Sequence, residues 1–340
     1  MKRYNNLFDK IVSLDNLYLA DKKARRNKSS RKDIKEFDLN KEELLKKLLQ
    51  NLINGTYKTS EYNTFIIREP KERLIFRLPY YPDRIVHHAV MNIMEPIWVS
   101  IFIKDTYSCI KHRGIHEALH NVKEALKDVD NTTYCLKLDI RKFYPSIDHE
   151  VLKSIIRKKI KDLKLLLLLD EIIDSAEGVP IGNYLSLFFA NLYLTYFDHW
   201  LKEDKLVKYY FRYADDIVIL HKDKEYLREL FEEMKLYLDT LKLTFKDNYL
   251  IFKVEDRGIS FVGYVIRHDY TLVRKNIKRS MCRKAARLGR KKNITVEDYK
   301  QEMCSHIGWL KHCNGINLLK KILRYKELLV YARRFSKLKP

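Results

Sequence analysis

An α+β fold is predicted from three observations. Short runs of aromatic and β-branched residues read as strands, most clearly Tyr209 to Tyr213 and Ile217 to Leu220 on either side of Ala214-Asp215-Asp216. Longer stretches place apolar residues at helical spacing, as in Lys41 to Ile53 and Ile85 to Trp98. From Thr271 onward the strand pattern gives way to basic helical sequence, so strands and helices are segregated along the chain.

The elements follow in order. Leu7, Ile11, Leu14 and Leu17 mark one face of an N-terminal helix. A basic cluster follows, including Lys22, Lys23, Arg25, Arg26, Lys28, Arg31 and Lys32. It reads either as a solvated charge run or as a phosphate-contacting arm. Phe65 to Ile67 and Leu74 to Phe76 flank the turn Glu69-Pro70-Lys71-Glu72, giving a hairpin that carries Lys71, Arg73 and Arg77. Asp83 stands where a cap is expected for the helix from Ile85 to Trp98. The neighbouring His87 and His88 point in different directions on a helix, which disfavours a shared metal.

Tyr134 to Asp139 reads as a strand ending in a carboxylate, and Asp148 as the cap of the next helix. A second helix is expected around Leu165 to Ile173, and Gly178 to Asn183 forms a turn opening an apolar helix from Leu185 to Phe197. After the acidic hairpin come a helix from Lys224 to Leu241, a hairpin through Phe245 to Val254 and a strand from Phe261 to Ile266. Lys275, Arg279, Arg283 and Arg287 then recur at four-residue spacing, opposed by Ile277, Met281 and Leu288. Thr295 with Asp298 signals another helix start.

The 340 residues include 67 Lys and Arg against 45 Asp and Glu, a net charge of +22 and a pI near 9.5. A polyanionic partner is expected, nucleic acid ahead of membrane. The longest apolar run, Leu165 to Leu169, is too short to span a bilayer, and no signal peptide follows Met1-Lys2-Arg3. Five scattered cysteines without Cys-x-x-Cys spacing fit reduced thiols, so a cytoplasmic protein is expected.

Adjacent ionised carboxylates such as Asp215 and Asp216 repel each other unless positive charge lies between them, and two Mg²⁺ ions are the expected answer. Two-metal phosphoryl transfer draws its carboxylates from separate strands, and Asp139 is placed to supply one. Asp139 and Asp215 are the first expected ligands, then Asp216, with the backbone carbonyl of Ile140 completing one shell.

These residues, taken in order, resemble the reverse transcriptases, RNA-directed DNA polymerases, and among them the group II intron-like bacterial branch. The resemblance runs from Asn16 to Cys313. Asp139-Ile-Arg-Lys-Phe-Tyr144 is similar to the family's first catalytic motif, and Tyr213-Ala-Asp-Asp216 to its signature tetrapeptide. Gly182-Asn-Tyr-Leu-Ser186 is similar to the turn beneath template and incoming base, and Phe261-Val-Gly-Tyr264 to the primer-grip hairpin.

The resemblance implies a right-hand polymerase: an N-terminal basic helical extension over 1–60, fingers and palm over 61–270, and a basic helical thumb over 271–340. It implies two Mg²⁺ ions, and dNTPs met by Lys71, Arg73, Tyr144, Ile181 and Gly182, with Tyr144 as the steric gate against a ribose 2′-hydroxyl. Template RNA and the RNA–DNA hybrid would be met by Arg25, Arg26, Lys28, Lys275, Arg279, Arg283 and Arg287. Within the branch, Ile181 ahead of Gly182 resembles the enzymes of diversity-generating retroelements. Those copy RNA with errors at adenines, alongside a small basic accessory protein. No length remains beyond the thumb for a ribonuclease H or integrase domain, so dependence on a partner or structured RNA is expected. Two other readings share the same residues: a defence-associated reverse transcriptase, and an RNA-binding protein without catalysis.

Overall fold

Helices and antiparallel strands both form in the computed structural model, which describes residues 3–68, 72–291 and 295–322. The α+β class is therefore borne out. The chain divides into two compact units interleaved in sequence: Met1–Cys109, Ile140–Leu206 and Glu233–Lys246 in one, Ile110–Asp139, Val207–Glu232 and Asp247–Pro340 in the other.

The first unit is mainly helical. The predicted N-terminal helix is broken at Ser13, giving Phe8–Ile11 and Leu14–Ala24, because the Ser13 hydroxyl accepts the Asn16 amide and caps the second piece. Lys41–Ile53 and Ile85–Val99 form as predicted. Asp83 does not cap the latter. It is fully buried and accepts bonds from the Tyr57 hydroxyl at 2.8 Å and the Ser60 amide at 3.1 Å, so a tertiary role replaces the local one.

Buried Trp98 packs on Phe188 and Phe189, joining the helix Ile85–Val99 to Tyr184–Tyr193. Strands β1 (Asn63–Ile67) and β2 (Arg73–Arg77) make the expected hairpin, with Arg73 opposite Ile67. A two-residue strand, β3 (Thr106–Tyr107), lies at the end of this segment.

The second unit carries the sheet that ends in the acidic turn. Its strands β4 (Tyr134–Asp139), β5 (Tyr209–Tyr213), β6 (Asp216–His221) and β7 (Leu250–Lys253) lie in the order β5-β6-β4-β7, each pair antiparallel. Leu136, Leu138, Ile217 and Ile219 are buried, and helix Ile115–Ala125 lies against β5. The hairpin expected through Phe245 to Val254 is absent. Leu250–Lys253 instead pairs with β4, because the ladder offered by Tyr134 to Lys137 satisfies its backbone groups.

The strand predicted over Phe261 to Ile266 is also two strands, β8 (Ile259–Phe261) and β9 (Tyr264–Ile266). Val262 and Gly263 adopt φ of 41° and 91° and turn the chain back, and β10 (Thr271–Val273) completes a three-stranded sheet. Gly263 is required there, since an added Cβ would collide with the Trp309 ring. Tyr264 donates its hydroxyl proton to the Trp309 carbonyl at 3.0 Å. Helix Val296–Leu310 begins on the predicted Thr295–Asp298 capping box.

Asp148 caps the helix His149–Arg157, accepting the Val151 amide at 3.0 Å, and also pairs with Lys242 at 2.6 Å. Lys242, then the Val151 amide, hold its carboxyl below the ordinary value of 3.8. A depressed carboxyl stabilises the fold above its unfolded pKa and loses that contribution as pH falls through the folded one. Asn caps helices as well as Asp does, so Asp148→Asn removes the charge and keeps the cap. Urea unfolding from pH 6 to pH 2 should therefore show a flatter loss of stability in Asp148→Asn than in the parent below about pH 4.

Candidate active site

The acidic hairpin is built by register. Tyr213 pairs with Asp216, which leaves Ala214 and Asp215 as the two turn residues between β5 and β6. Ala214 takes the left-handed conformation, φ 54°, that such a turn requires. The guanidinium of Arg212, completely buried, donates to the Ala214 carbonyl at 3.0 Å and fixes the turn from below. On the other side β6 pairs with β4 so that Asp216 lies directly opposite Asp139. Residues directly opposite in an antiparallel pair share one face, with Cβ atoms roughly 4.5–5.5 Å apart. The register thus brings Asp139 to the end of the sheet where Asp215 and Asp216 stand.

The first answer to their mutual repulsion comes from the protein. Lys137, two residues before Asp139 on the same face of β4, forms an ion pair with Asp216. Arg274 approaches the other Asp216 oxygen at 4.0 Å. Lys137 also lies 5.2 Å over the Phe261 ring. Burial pushes the Lys137 ammonium down to about 7, with Arg274 acting in the same direction while Cys135, Asp139 and Asp215 oppose it.

Among the described residues no three His, Cys, Asp or Glu side chains converge on a point that could hold a metal. The donor chemistry nevertheless suits a hard divalent cation, since carboxylate oxygens such as those of Asp139 and Asp215 are its usual ligands. Asp216, the third expected ligand, is engaged by Lys137. That pairing was invisible in the sequence, where Lys137 reads as one more strand residue.

The expected nucleotide-contacting residues cluster in the first unit through backbone contacts. The Val179 amide donates to the Tyr144 carbonyl at 2.9 Å, and Gly178 sits so close to Tyr144 and Pro145 that a Cβ would lie 2.6 Å from both carbonyl oxygens. The Phe76 amide donates to the Ile181 carbonyl at 2.8 Å, and Gly182, at φ 126°, abuts the Phe76 carbonyl. Strand β2, the Gly182 turn and the Tyr144 segment therefore form one framework, with Arg73 exposed on β2. Tyr144 is half-buried with its ring tilted against Phe143. Lys71 lies outside the described residues. Ile140 is buried and bridges Phe245.

The basic residues separate into two kinds. Lys275, Arg279, Arg283 and Arg287 are all exposed along helix Lys275–Gly289, with Met281, Ala285 and Leu288 buried opposite them. Arg26 and Lys28 are exposed, whereas Arg25 is tied to Asp21 and Asp38, each at 2.7 Å.

The family described as reverse transcriptase (RNA-dependent DNA polymerase) matches residues 67–266, a segment that contains every one of these carboxylates. The chain belongs to the reverse transcriptase family. Among individual proteins, Protein YkfC of Escherichia coli K12 is 29% identical over 170 residues, 46% of this chain and 45% of that protein. The group II intron-encoded protein LtrA of Lactococcus lactis is 27% identical over 178 residues, 48% of this chain and 29% of LtrA. The chain therefore matches less than half the length of either relative.

The retron Ec73 reverse transcriptase of Escherichia coli is 26% identical over 242 residues, 63% of this chain and 75% of that protein. In three dimensions the chain is similar to apo telomerase from Candida tropicalis, with a TM-score of 0.53 and 13% identity over 88% of this chain and 64% of that one. That likeness concerns the fold, which is the right-hand polymerase class expected from the sequence.

Arg212 is a further site residue that sequence reading missed; only its place just before Tyr213 hinted at it. A buried hydrogen bond from a charged donor contributes about 1.5–3 kcal/mol, so Arg212→Met should lower stability by roughly that amount in urea unfolding, with the β5–β6 turn loosened in hydrogen exchange.

Proposed function

We propose that this reverse transcriptase family member synthesises DNA on an RNA template. The observation that carries the reading is the β4–β6 register, which sets Asp139 opposite Asp216 with Asp215 in the adjoining turn. Asp139 and Asp215 would hold divalent metal ions, Mg²⁺ by the chemistry of their oxygens, with Asp216 beside them and the Ile140 carbonyl as a further donor. When bound, such ions activate the primer 3′-hydroxyl and neutralise charge on the leaving pyrophosphate.

The chain's own residues do the rest. Arg73 would meet the triphosphate of an incoming dNTP, and the Gly182 turn, with no side chain in the way, would carry the nascent base pair. Tyr144 would act as the steric gate. The exposed cations of helix Lys275–Gly289, with Arg26 and Lys28, would track the backbone of template RNA and hybrid, and 271–340 would serve as thumb.

A finer reading is mutagenic copying of a retroelement's RNA, assisted by a small basic accessory protein. Ile181 supports it, since an apolar side chain cannot donate the hydrogen bonds that a Gln would offer near the nascent pair.

Primer extension on an RNA template with Mg²⁺, followed by sequencing of every product, tests both levels. The parent should extend, and Asp139→Asn or Asp215→Asn should reduce extension by at least about 10³-fold while RNA affinity stays within a few-fold. Unchanged synthesis in either variant would remove the metal assignment. Errors concentrated at template adenines would support mutagenic copying, and an even error spectrum would exclude it. Separately, Tyr144→Ala should admit ribonucleotides, seen as alkali-labile products; unaltered discrimination would mean that the ring is only packing.

A further inference from the structure

The turn from Gly178 to Gly182 is held at three points. Two are backbone bonds, from the Val179 amide to the Tyr144 carbonyl at 2.9 Å and from the Phe76 amide to the Ile181 carbonyl at 2.8 Å. The third is a side chain. His149, the first residue of helix His149–Arg157, sets Nε2 at 2.9 Å from the carbonyl of buried Gly178 and Nδ1 at 3.1 Å from an Asp174 carboxylate oxygen. A carbonyl and an ionised carboxylate can only accept, so both ring nitrogens must carry protons, and the ring is then an imidazolium. A neutral imidazole serves one partner and abandons the other.

The helix itself does not call for this charge. A cation in the first turn opposes the helix dipole, which favours acids there, such as Asp148 and Glu150. The surroundings of the ring supply the reason instead. Asp174, just past helix Leu163–Ile173, orients it, and Lys153 holds the other Asp174 oxygen at 2.8 Å while also reaching Glu150 at 3.0 Å. Glu177, next to Gly178 in the chain, adds a further acid.

Building on the proposed nucleotide contacts of Tyr144 and Gly182, we propose that His149 is a positioning residue whose imidazolium holds the Gly178 carbonyl and so fixes the turn against the Tyr144 segment. Its effect runs through the backbone. The Gly178 Cα lies tight against the Tyr144 and Pro145 carbonyls, so a turn released at Gly178 lets the Tyr144 ring and Gly182 drift. Nucleotide binding and the rejection of ribonucleotides then weaken. The chemical step, assigned to carboxylates outside this turn, does not.

The test is single-nucleotide primer extension by the intact chain, with dNTP and with rNTP, from about pH 5.5 to about pH 8.5, the range in which imidazole changes charge. A bond made only by the protonated ring is present at low pH and lost as pH rises. Near the acidic end, His149→Gln should raise the dNTP KM by roughly threefold to tenfold with kcat within about twofold, and lower discrimination against rNTP by a similar factor. Both differences should shrink toward the alkaline end, where the parent loses the same bond. In parallel, the ¹⁵N spectrum of the imidazole nitrogens, with His149 assigned by its absence in His149→Gln, should show both nitrogens protonated at the acidic end.

Equal KM and discrimination in parent and variant at the acidic end would overturn the proposal. So would a difference that ignores pH, or a neutral His149 ring at the acidic end. Were His149→Gln not to fold, Asp174→Asn at its exposed position removes the orienting carboxylate and is judged by the same criteria. If the parent itself extends no primer, the polymerase reading fails, and the ¹⁵N spectrum still decides the state of the ring.

Discussion

The register between β4 and β6 is the constraint on which the site depends. Strand side chains alternate between faces, so slipping the pair by one residue would exchange every inward group for an outward one. Here Leu138 is buried opposite Ile217, while Asp139 and Asp216 occupy the next rung at the strand ends. A slip would force a carboxylate into the position of Leu138, at a desolvation cost that no local adjustment could offset. The apolar residues that stabilise the sheet are thus the same ones that place the acids. Leu136, Leu138, Ile217 and Ile219 carry no chemistry, yet they decide where the chemistry can occur.

The same geometry creates an electrostatic problem, since three carboxylates gather where the sheet ends. Arg212, Lys137 and Arg274 answer it in different ways. Arg212 is addressed to backbone, holding the carbonyl of Ala214 so that the strained turn residue stays in place. Lys137 and Arg274 are addressed to charge, and both are held by the β8–β9 hairpin through Phe261 and Ser260. A cation borrowed from the protein is fixed in position, whereas a metal ion comes and goes with concentration.

Much of this was legible in the sequence, and the exceptions share a cause. The β5–β6 hairpin, the strand ending at Asp139, the Asp148 cap and the Thr295–Asp298 capping box depend on residues within a few positions of one another, where propensity and turn chemistry dominate. The errors fell where a distant partner overrode local preference. Asp83 looked like a cap but is claimed by Tyr57 and Ser60. Leu250–Lys253 looked like half of a local hairpin but pairs with β4. The run from Phe261 to Ile266 looked continuous because Val262 is a good strand former, yet it adopts a positive φ beside Gly263. Lys137 was hidden for the same reason, its counter-charge lying 79 positions along the chain.

The framework in the first unit shows how side chains at 144 and 181 can vary without cost to the fold. Strand β2 is joined to the Gly182 turn through the Phe76 amide and the Ile181 carbonyl, and the Tyr144 segment is joined to Val179 through another backbone bond. Neither bond depends on which side chain stands at 181 or 144. The sequence is restricted at the glycines, where a Cβ would strike a carbonyl oxygen, at Gly178 against Tyr144 and Pro145 and at Gly182 against Phe76. Side-chain identity at Ile181 and Tyr144, both half-buried, is therefore released from the task of holding the turn. Under the proposed reading, an apolar residue at 181 and an aromatic one at 144 would act on the nucleotide from a scaffold that backbone hydrogen bonds and glycines have already fixed.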